Sequence, residues 1–365
     1  VCCNYQHNDA FPGSHPLSAG VLGYNGSKAA MKLIAQADVV LALGTRLNPF
    51  ATLPCYGIEY WPTDAAVIQV DINPDRIGLT KPIEVGIVGD VKKVANSISA
   101  HLLNTAGDKG RDERKATIAK FKSEWAEELE NMDHEEDDPG TTWNERARKA
   151  DPDKITSRMA WRAIVKALPK DAIISSDIGN SCALGAAYPT FEEGRKFLAP
   201  GMFGPCGYGF PSIIGAKIAK PDTPVVGFAG DGAFGISMNE MTAISRKEWP
   251  AITMIIFRNF HWGAEKRNST LWYHDNFVGT ELNRDVSYAA IAKACGVEGV
   301  QATSMDDLTE KLNTAVKAQM ENGVTTFIEV MTNMELGEPF RRDAMKKPVQ
   351  VAGVDKGDMK PQKGA

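Results

Sequence analysis

The sequence predicts an α/β protein made of two doubly wound parallel-sheet domains, and three observations carry that expectation. Short apolar runs bounded by Gly, Asn or Asp recur along the chain, the pattern of strands covered on both faces. Segments with apolar residues at helical spacing separate those runs. Strands that alternate with helices pair in parallel, because a parallel neighbour is reached only through a long crossover.

The first domain is placed at residues 1–105, partial at its start. Within it "GSKAAMKLIAQA" has helical spacing, with Ser27 as N-cap. "DVVLALG", "AAVIQVDI" and "VGIVGD" are strands, the first two expected to be covered on both faces. Residues 106–150 read as a charged helical linker whose acidic run ends in a Pro-Gly breaker and is solvated. That run lacks the spaced oxygen ligands and central glycine of a calcium loop. The second domain is placed at residues 151–345. It opens with the amphipathic helix "SRMAWRAIVKALP", then "DAIISSDIGN", a strand running into a glycine turn. "GYGFPSIIGAKIA" begins as a glycine-rich loop and becomes helix; "TPVVGFAG" is a strand, "SMNEMTAISRKE" a helix and "AITMIIF" a strand. "SYAAIAKACG" and "MDDLTEKLNTAVKAQM" are helices, and "TTFIEVMT" is a strand. Ser237 and Glu240 have capping-box spacing, which sets a helix start there. Residues 346–365, rich in lysine and glycine, form an extended C-terminal tail.

A chain of 365 residues accommodates two full-sized cores. Its net charge of −5 gives no general attraction to nucleic acid or to an anionic membrane. No apolar stretch approaches a membrane span and no basic-then-apolar signal opens the sequence, so a cytoplasmic protein is expected. The six cysteines are scattered, without a Cys-x-x-Cys pair, which suits reduced thiols. Because the chain opens at Val1 in loop-like sequence, an N-terminal part is expected to precede it.

In open parallel α/β sheets, ligands bind beyond the carboxyl ends of the strands. Three such ends carry unusual polar residues: "SSDIGNS" with Asp177, Gly179, Asn180 and Ser181, "AGDGAF" with Asp231 between Gly230 and Gly232, and "FRNFHWG" with Arg258, Asn259 and His261. Asp231 and the Asn259 amide are hard oxygen donors, the type magnesium selects. Gly232 and Ala233 offer backbone N–H groups to a phosphate, and a nearby helix start adds partial positive charge. Taken singly these are weak signals, since a Gly-Asp-Gly turn is most often only a β–α loop. The 28-residue step from Asp231 to Asn259 makes the set specific.

Gly-Asp-Gly followed by Asn at that distance resembles the signature of the thiamine-diphosphate enzymes, and the chain is similar to their acetolactate synthase and pyruvate oxidase type. The stretches "LGYNGSKAAMKLI", "ALGTRLNPFATLP", "QVDINPDRIGLTK", "FGPCGYGFPSIIGAK", "WGAEKRN" and "GEPFRRDAMKKPVQVAG" resemble the acetyltransferase branch of sulfonate and taurine catabolism. That branch converts sulfoacetaldehyde and phosphate to acetyl phosphate and sulfite. The resemblance implies that residues 1–105 are the family's central domain and 151–345 its diphosphate-binding domain. It implies thiamine diphosphate and Mg2+ as cofactors, with Asp231, Asn259 and the His261 carbonyl as metal ligands. Gly179, Asn180, Ser181, Gly232 and Ala233 would surround the diphosphate, with Gly207 and Gly230 adjoining. Cys206 stands where relatives carry a bulky apolar residue that bends the cofactor; a packed core thiol is the plainer alternative. The family's activating glutamate lies on a preceding pyrimidine-binding domain. No residue here is therefore assigned as catalytic, and these 365 residues alone are expected to be inactive. A homodimer or homotetramer with the active site at the subunit interface is implied as well.

Both implied substrates are anions, so cations beyond the metal are needed. "HWGAEKRN" supplies Lys266 and Arg267, and "EPFRRD" supplies Arg341 and Arg342, each with a solvated surface charge as the alternative. Lys266 is favoured because it sits on the loop leaving the metal site. The His261 side chain is left either to contact substrate or only to pack, and Trp262 reads as a wall. No complete dinucleotide fingerprint occurs in the first domain, so no redox cofactor is expected. Two other readings stay open: a decarboxylating carboligase of the acetolactate synthase type, and a non-catalytic binding module on the same scaffold.

Overall fold

The structure, a computed structural model, describes all residues except 104–106, 108, 109, 138–140, 202, 274 and 338–365. Arg341, Arg342, the tail 346–365 and the Pro-Gly pair at 139 and 140 lie outside the described residues. The chain divides into two compact units, one of residues 1–5 and 15–127, the other of residues 6–14 and the described chain from 128 onward.

The first unit carries a parallel three-stranded sheet of β1 (Val39–Leu43), β2 (Ala66–Asp71) and β3 (Val85–Val88), in that order. The helix Lys28–Ile34 starts where predicted, with Ser27 Oγ accepting from the Ala30 N–H. Along β1, Val40 and Ala42 pack with Leu47, Trp61, Val67 and Ile83. The alternate residues Val39, Leu41 and Leu43 remain 40–53% exposed, so β1 is covered on one face and not on two.

The acidic run expected to be solvated is folded onto the second unit's first long helix, Ser157–Ala167. Glu135 is buried, with its Oε1 2.6 Å from Arg158 Nε, and Asp133 pairs with Arg162. The Asp137 carboxylate accepts from the N–H groups of Asn144 at 2.7 Å and Glu145 at 2.8 Å, capping the helix Trp143–Ala150. Composition misled here because the neutralising arginines belong to a later element.

The second unit holds β4 (Ile173–Ser176), β5 (Phe197–Leu198), β6 (Val225–Gly230), β7 (Thr253–Arg258), β8 (Glu298–Ala302) and β9 (Thr326–Met331). All pair in parallel, in the order β5-β4-β6-β7-β9-β8. The two strands absent from the sequence reading are at the edges: β5 has two residues, and β8 ("EGVQA") is half polar. Successive residues of the central strands feed opposite cores. Val226, Phe228, Ile255, Phe257 and Ile328 join Trp161 and Ile164 on one face; Val225, Ala229, Met254, Ile256 and Phe327 join Phe210 and Ile213 on the other. Each fully buried Val, Ile, Phe or Met side chain among them contributes roughly 1.5–3 kcal/mol. From β4 the chain goes to β5 on one side and then to β6 on the other, so strand order reverses there and opens a crevice beyond their carboxyl ends. No helix among the described residues is long and apolar enough to cross a membrane, and the six cysteines are free thiols.

Candidate cofactor and metal site

Beyond β4 the backbone turns at Gly179, whose φ of 132° favours glycine, into the short helix Asn180–Ala183. Asp177, at the turn's start, is buried and accepts from the N–H groups of Ile178 (2.8 Å), Gly207 (3.0 Å) and Gly209 (2.7 Å). Burial raises its pKa while these donors oppose the rise. Its structural effect is to tie the loop of Cys206 and Gly207 to the end of β4. The Cys206 thiol is itself pushed up by burial, then by the carboxylates of Asp177 and Glu265, so it stays protonated and soft. Ser181 turns its hydroxyl to Ser157 Oγ at 2.9 Å, and its carbonyl accepts from Trp161 Nε1 at 2.7 Å. Beside them lies a cleft lined by Glu135, Ser157, Arg158, Asn180, Ser181 and Glu335, among others.

Beyond β6, Gly230 leads straight into the helix Asp231–Ser237. The predicted capping box is therefore not formed. Ser237 closes the helix that starts at Asp231 and stands at the N-cap of the short 3-10 turn Met238–Glu240, so a helical start lies where expected, but the serine's buried Oγ makes no capping hydrogen bond. Asp231 is 1% exposed: Oδ1 accepts from Gly232 N at 2.9 Å, and Oδ2 accepts from Phe260 N at 2.7 Å and Arg258 Nη1 at 2.9 Å. Burial outweighs the Arg258 charge and the hydrogen bonds, raising its pKa to about 6.

Beyond β7, Asn259 is followed by Phe260 in the left-handed region, φ 64°. That turn lets the His261 N–H approach Asn259 Oδ1 at 3.4 Å and sets residues 260–262 against 280–282. Two backbone bonds make this pairing, Trp262 N–H to Thr280 and Leu282 N–H to Phe260, both 2.8 Å. The expected loop after it is a helix, Gly263–Trp272, which places Lys266 and Arg267 on its first turns. Ala264, Glu265, Lys266 and Arg267 are good helix formers, and Glu265 in the first turn complements the dipole.

The three strand ends converge. A Cβ on Gly263 would stand 3.4 Å from both Asn180 Nδ2 and Asn259 Nδ2, and 3.5 Å from His261 Cδ2. The Trp262 ring lies 2.8 Å from where a Cβ on Gly232 would be. Asn180 Nδ2 is buried without a hydrogen-bond partner, and the space a side chain would take at Gly179 and Gly230 is open. An orphaned amide donor beside bare glycine backbone suits an anion with many acceptor oxygens. Asp231 and Asn259 add hard oxygen donors, and no group of three His, Cys, Asp or Glu side chains forms a softer metal site among the described residues. This donor set fits a hard cation that keeps water and phosphate ligands.

Neither of the two described cations is solvated, so the surface-charge alternative fails for both, and each has an internal partner. Lys266 is 2% exposed, pairs with Glu281, and sits 4.0 Å from the Trp143 ring centroid and 4.7 Å from that of Phe277. Arg267 is buried and donates to the Gly337 carbonyl at 2.9 Å; Gly337 in turn lies against Asn180. His261 is buried with both ring nitrogens unpartnered. Burial, then the charges of Lys266 and Arg284, lower its pKa to about 3, so the ring is neutral. Sequence reasoning placed Arg258 at the converging strand ends but gave it no role, although a charged residue ending an otherwise apolar strand signals a buried carboxylate partner. Glu281 and Trp143 gave no signal, because each is remote in sequence from Lys266.

Two family models match the chain: the thiamine pyrophosphate enzyme central domain over residues 1–98, and the C-terminal TPP binding domain of the same enzymes over residues 177–330. The chain is 73% identical over 362 residues to a sulfoacetaldehyde acetyltransferase of Roseovarius nubinhibens, covering 99% of this chain and 60% of that protein. It is 70% identical over 362 residues to a sulfoacetaldehyde acetyltransferase of Rhodobacter capsulatus, covering 99% and 61%. Similarity to a probable acetolactate synthase large subunit of Methanocaldococcus jannaschii is 29% over 317 residues, 87% of this chain and 50% of that one. The chain thus spans about 60% of the length of these two acetyltransferases.

Proposed function

The chain belongs to the thiamine pyrophosphate enzymes, and from that premise we propose that it acts as a sulfoacetaldehyde acetyltransferase, turning sulfoacetaldehyde and phosphate into acetyl phosphate and sulfite. The observation that carries the cofactor site is the convergence of Asn180, Asp231 and Asn259 at one crevice. The substrate rests on likeness to relatives of that name along nearly the whole chain.

Bound thiamine diphosphate supplies a carbon nucleophile and an electron sink. The chain's own residues hold and enclose it. Asp231, the Asn259 amide oxygen and the His261 carbonyl would ligate Mg2+, and Gly230, Gly232 and Ala233 would face the diphosphate with bare backbone. Asn180 Nδ2 would give its unused proton to a diphosphate oxygen, with Gly179 and Ser181 shaping the turn beside it. Cys206 and Gly207, held by Asp177, would form the soft wall against which the cofactor bends. Trp262, set over Gly232, would exclude water. The neutral His261 ring would present one donor and one acceptor to substrate without adding charge. Lys266 and Arg267 would shape the anion pocket by holding Glu281 and Gly337, which leaves Arg341 and Arg342 as candidates for sulfonate and phosphate. A cytoplasmic homo-oligomer with the site at a subunit interface completes the proposal.

The test uses protein expressed from its complete coding sequence. Sulfite and acetyl phosphate should form from sulfoacetaldehyde and phosphate, and Asp231→Ala should abolish Mg2+-dependent thiamine diphosphate binding. Carbon dioxide from pyruvate without sulfite release would assign the chain to carboligases instead. Cofactor binding that survives Asp231→Ala would move the site elsewhere.

A further inference from the structure

We propose that Arg258 is a positioning residue of the cation site: it claims one oxygen of Asp231 and so aims the other at the metal. This rests on the cofactor and cation reading above. Arg258 ends β7 and is 1% exposed, and its guanidinium is fixed on every side. Nη1 donates to Asp231 Oδ2 at 2.9 Å, and Nη2 donates to the carbonyls of Asn283 at 2.7 Å and Val286 at 2.9 Å. Nε stands 3.3 Å from Glu329 Oε1, and the rings of Phe260 and Tyr288 lie 4.4 Å and 5.1 Å from its centre. Tyr288 OH also donates to the Asp231 carbonyl at 2.9 Å, closing the frame.

The two oxygens of Asp231 are thereby made unequal. Oδ2 takes one charged and one backbone donor, which uses its lone pairs and makes it a poor ligand. Oδ1 takes only the neighbouring Gly232 N–H and keeps a lone pair. Meanwhile the Phe260 ring on the guanidinium steadies the left-handed turn that carries Asn259 and His261, so one arginine orients both halves of the ligand set. Orientation matters unequally to different cations. Mg2+ demands near-ideal octahedral geometry, whereas Ca2+ accepts irregular sites.

The experiment measures thiamine diphosphate affinity by tryptophan fluorescence quenching, with Mg2+ and separately with Ca2+, in protein from the complete coding sequence. Arg258→Lys keeps the charge but loses the planar fork. Its Mg2+-supported dissociation constant should rise about 10- to 100-fold, the usual effect of losing an outer-shell partner. Its Ca2+-supported constant should rise less than about threefold, because Ca2+ tolerates the looser site. Equal losses with both cations, or none with either, would overturn the proposal by showing a merely structural or dispensable arginine. If Arg258→Lys does not fold, Arg258→Met with Glu329→Gln removes one buried charge of each sign and carries the same expectation and the same refutation. Wild-type protein that binds thiamine diphosphate with neither cation would instead refute the cofactor reading itself.

Discussion

The Lys266–Glu281 pair should break asymmetrically, with the exposed partner costing more to remove than the buried one. Lys266 is 2% exposed as a residue, while the Glu281 side chain is 56% exposed. At an effective dielectric of about 20, unit charges roughly 4 Å apart attract by about 4 kcal/mol before desolvation is charged against them. Glu281→Ala leaves the ammonium buried against the rings of Trp143 and Phe277. Unpairing a fully buried charge costs about 3–5 kcal/mol, and the two aromatic faces offset part of it, up to about 2 kcal/mol, so a net loss of about 2–3 kcal/mol is expected. Lys266→Met instead returns Glu281 to water and lets a thioether pack on the same rings, at a cost of about 1 kcal/mol. At about 2–4 °C per kcal/mol, Glu281→Ala should melt some 4–12 °C below wild type and Lys266→Met only 2–4 °C below. Thermal denaturation by circular dichroism measures both. Equal shifts, or a larger loss for Lys266→Met, would refute the placement of this lysine. Kinetics add a second reading: if Lys266 touched an anionic substrate directly, Glu281→Ala would free it and lower that substrate's KM.

Gly232→Ala should force the Trp262 ring aside, because the new Cβ would fall 2.8 Å from its Cδ2 and 2.9 Å from its Cε3. Thiamine diphosphate affinity should drop by at least about tenfold with a shifted tryptophan emission, a change of about 1.4 kcal/mol; unaltered emission and affinity would show that the ring yields freely. For the metal-free protein, His261 links stability to pH. Its pKa falls from 6.5 to about 3 on folding, so its contribution is intact above about pH 6.5 and lost progressively as pH falls toward about 3. The loss approaches 1.4 kcal/mol per pH unit at most. His261→Phe should therefore show a flatter fall of the urea midpoint between pH 7 and 5.5, whereas parallel curves would place a partner on the ring.

The elements legible in the sequence were those with strong periodicity and a single job. The four central strands and the helices Ser157–Ala167, Gly209–Ala219 and Met305–Asn322 follow from apolar patterning that tertiary contacts do not override. The glycine-flanked Asp231 and the Asn259 that follows it were legible as well, because both sit where a buried strand surfaces. Other parts depended on partners far along the chain. The acidic run looked solvated because Arg158 and Arg162 come from a later helix. Ser237 does stand ahead of the turn Met238–Glu240, but nothing local shows that a helix already begins on Asp231 and that the serine hydroxyl leaves the cap unbonded. Gly263–Trp272 looked like a loop because a polar helix packed over a site has no clean apolar stripe.

The same dependence bears on how two anions would be recognised. Lys266 is committed to Glu281, Arg267 to the Gly337 carbonyl, Arg158 to Glu135, and Arg258 to Asp231 and Glu329. Each of these four side chains has an internal partner, and three of the partners are carboxylates, so the charges of Lys266, Arg158 and Arg258 are largely neutralised before any substrate arrives, while Arg267 has its donors engaged by a carbonyl. Further positive potential for sulfonate and phosphate can come from a bound divalent cation, from backbone N–H groups such as those after Gly230, from Arg267 and Arg284, or from groups outside the described residues. A site of this kind should bind its anionic substrates weakly without the cation and far better with it. Thiamine diphosphate should behave the same way, since its diphosphate and the metal would each supply charge that the other lacks. Cation and cofactor binding are thus expected to be strongly coupled: titrating either one in the presence of the other should tighten its apparent affinity by the same factor, as reciprocity of linkage demands. Independent binding of the two would mean that one of the four cations is free after all.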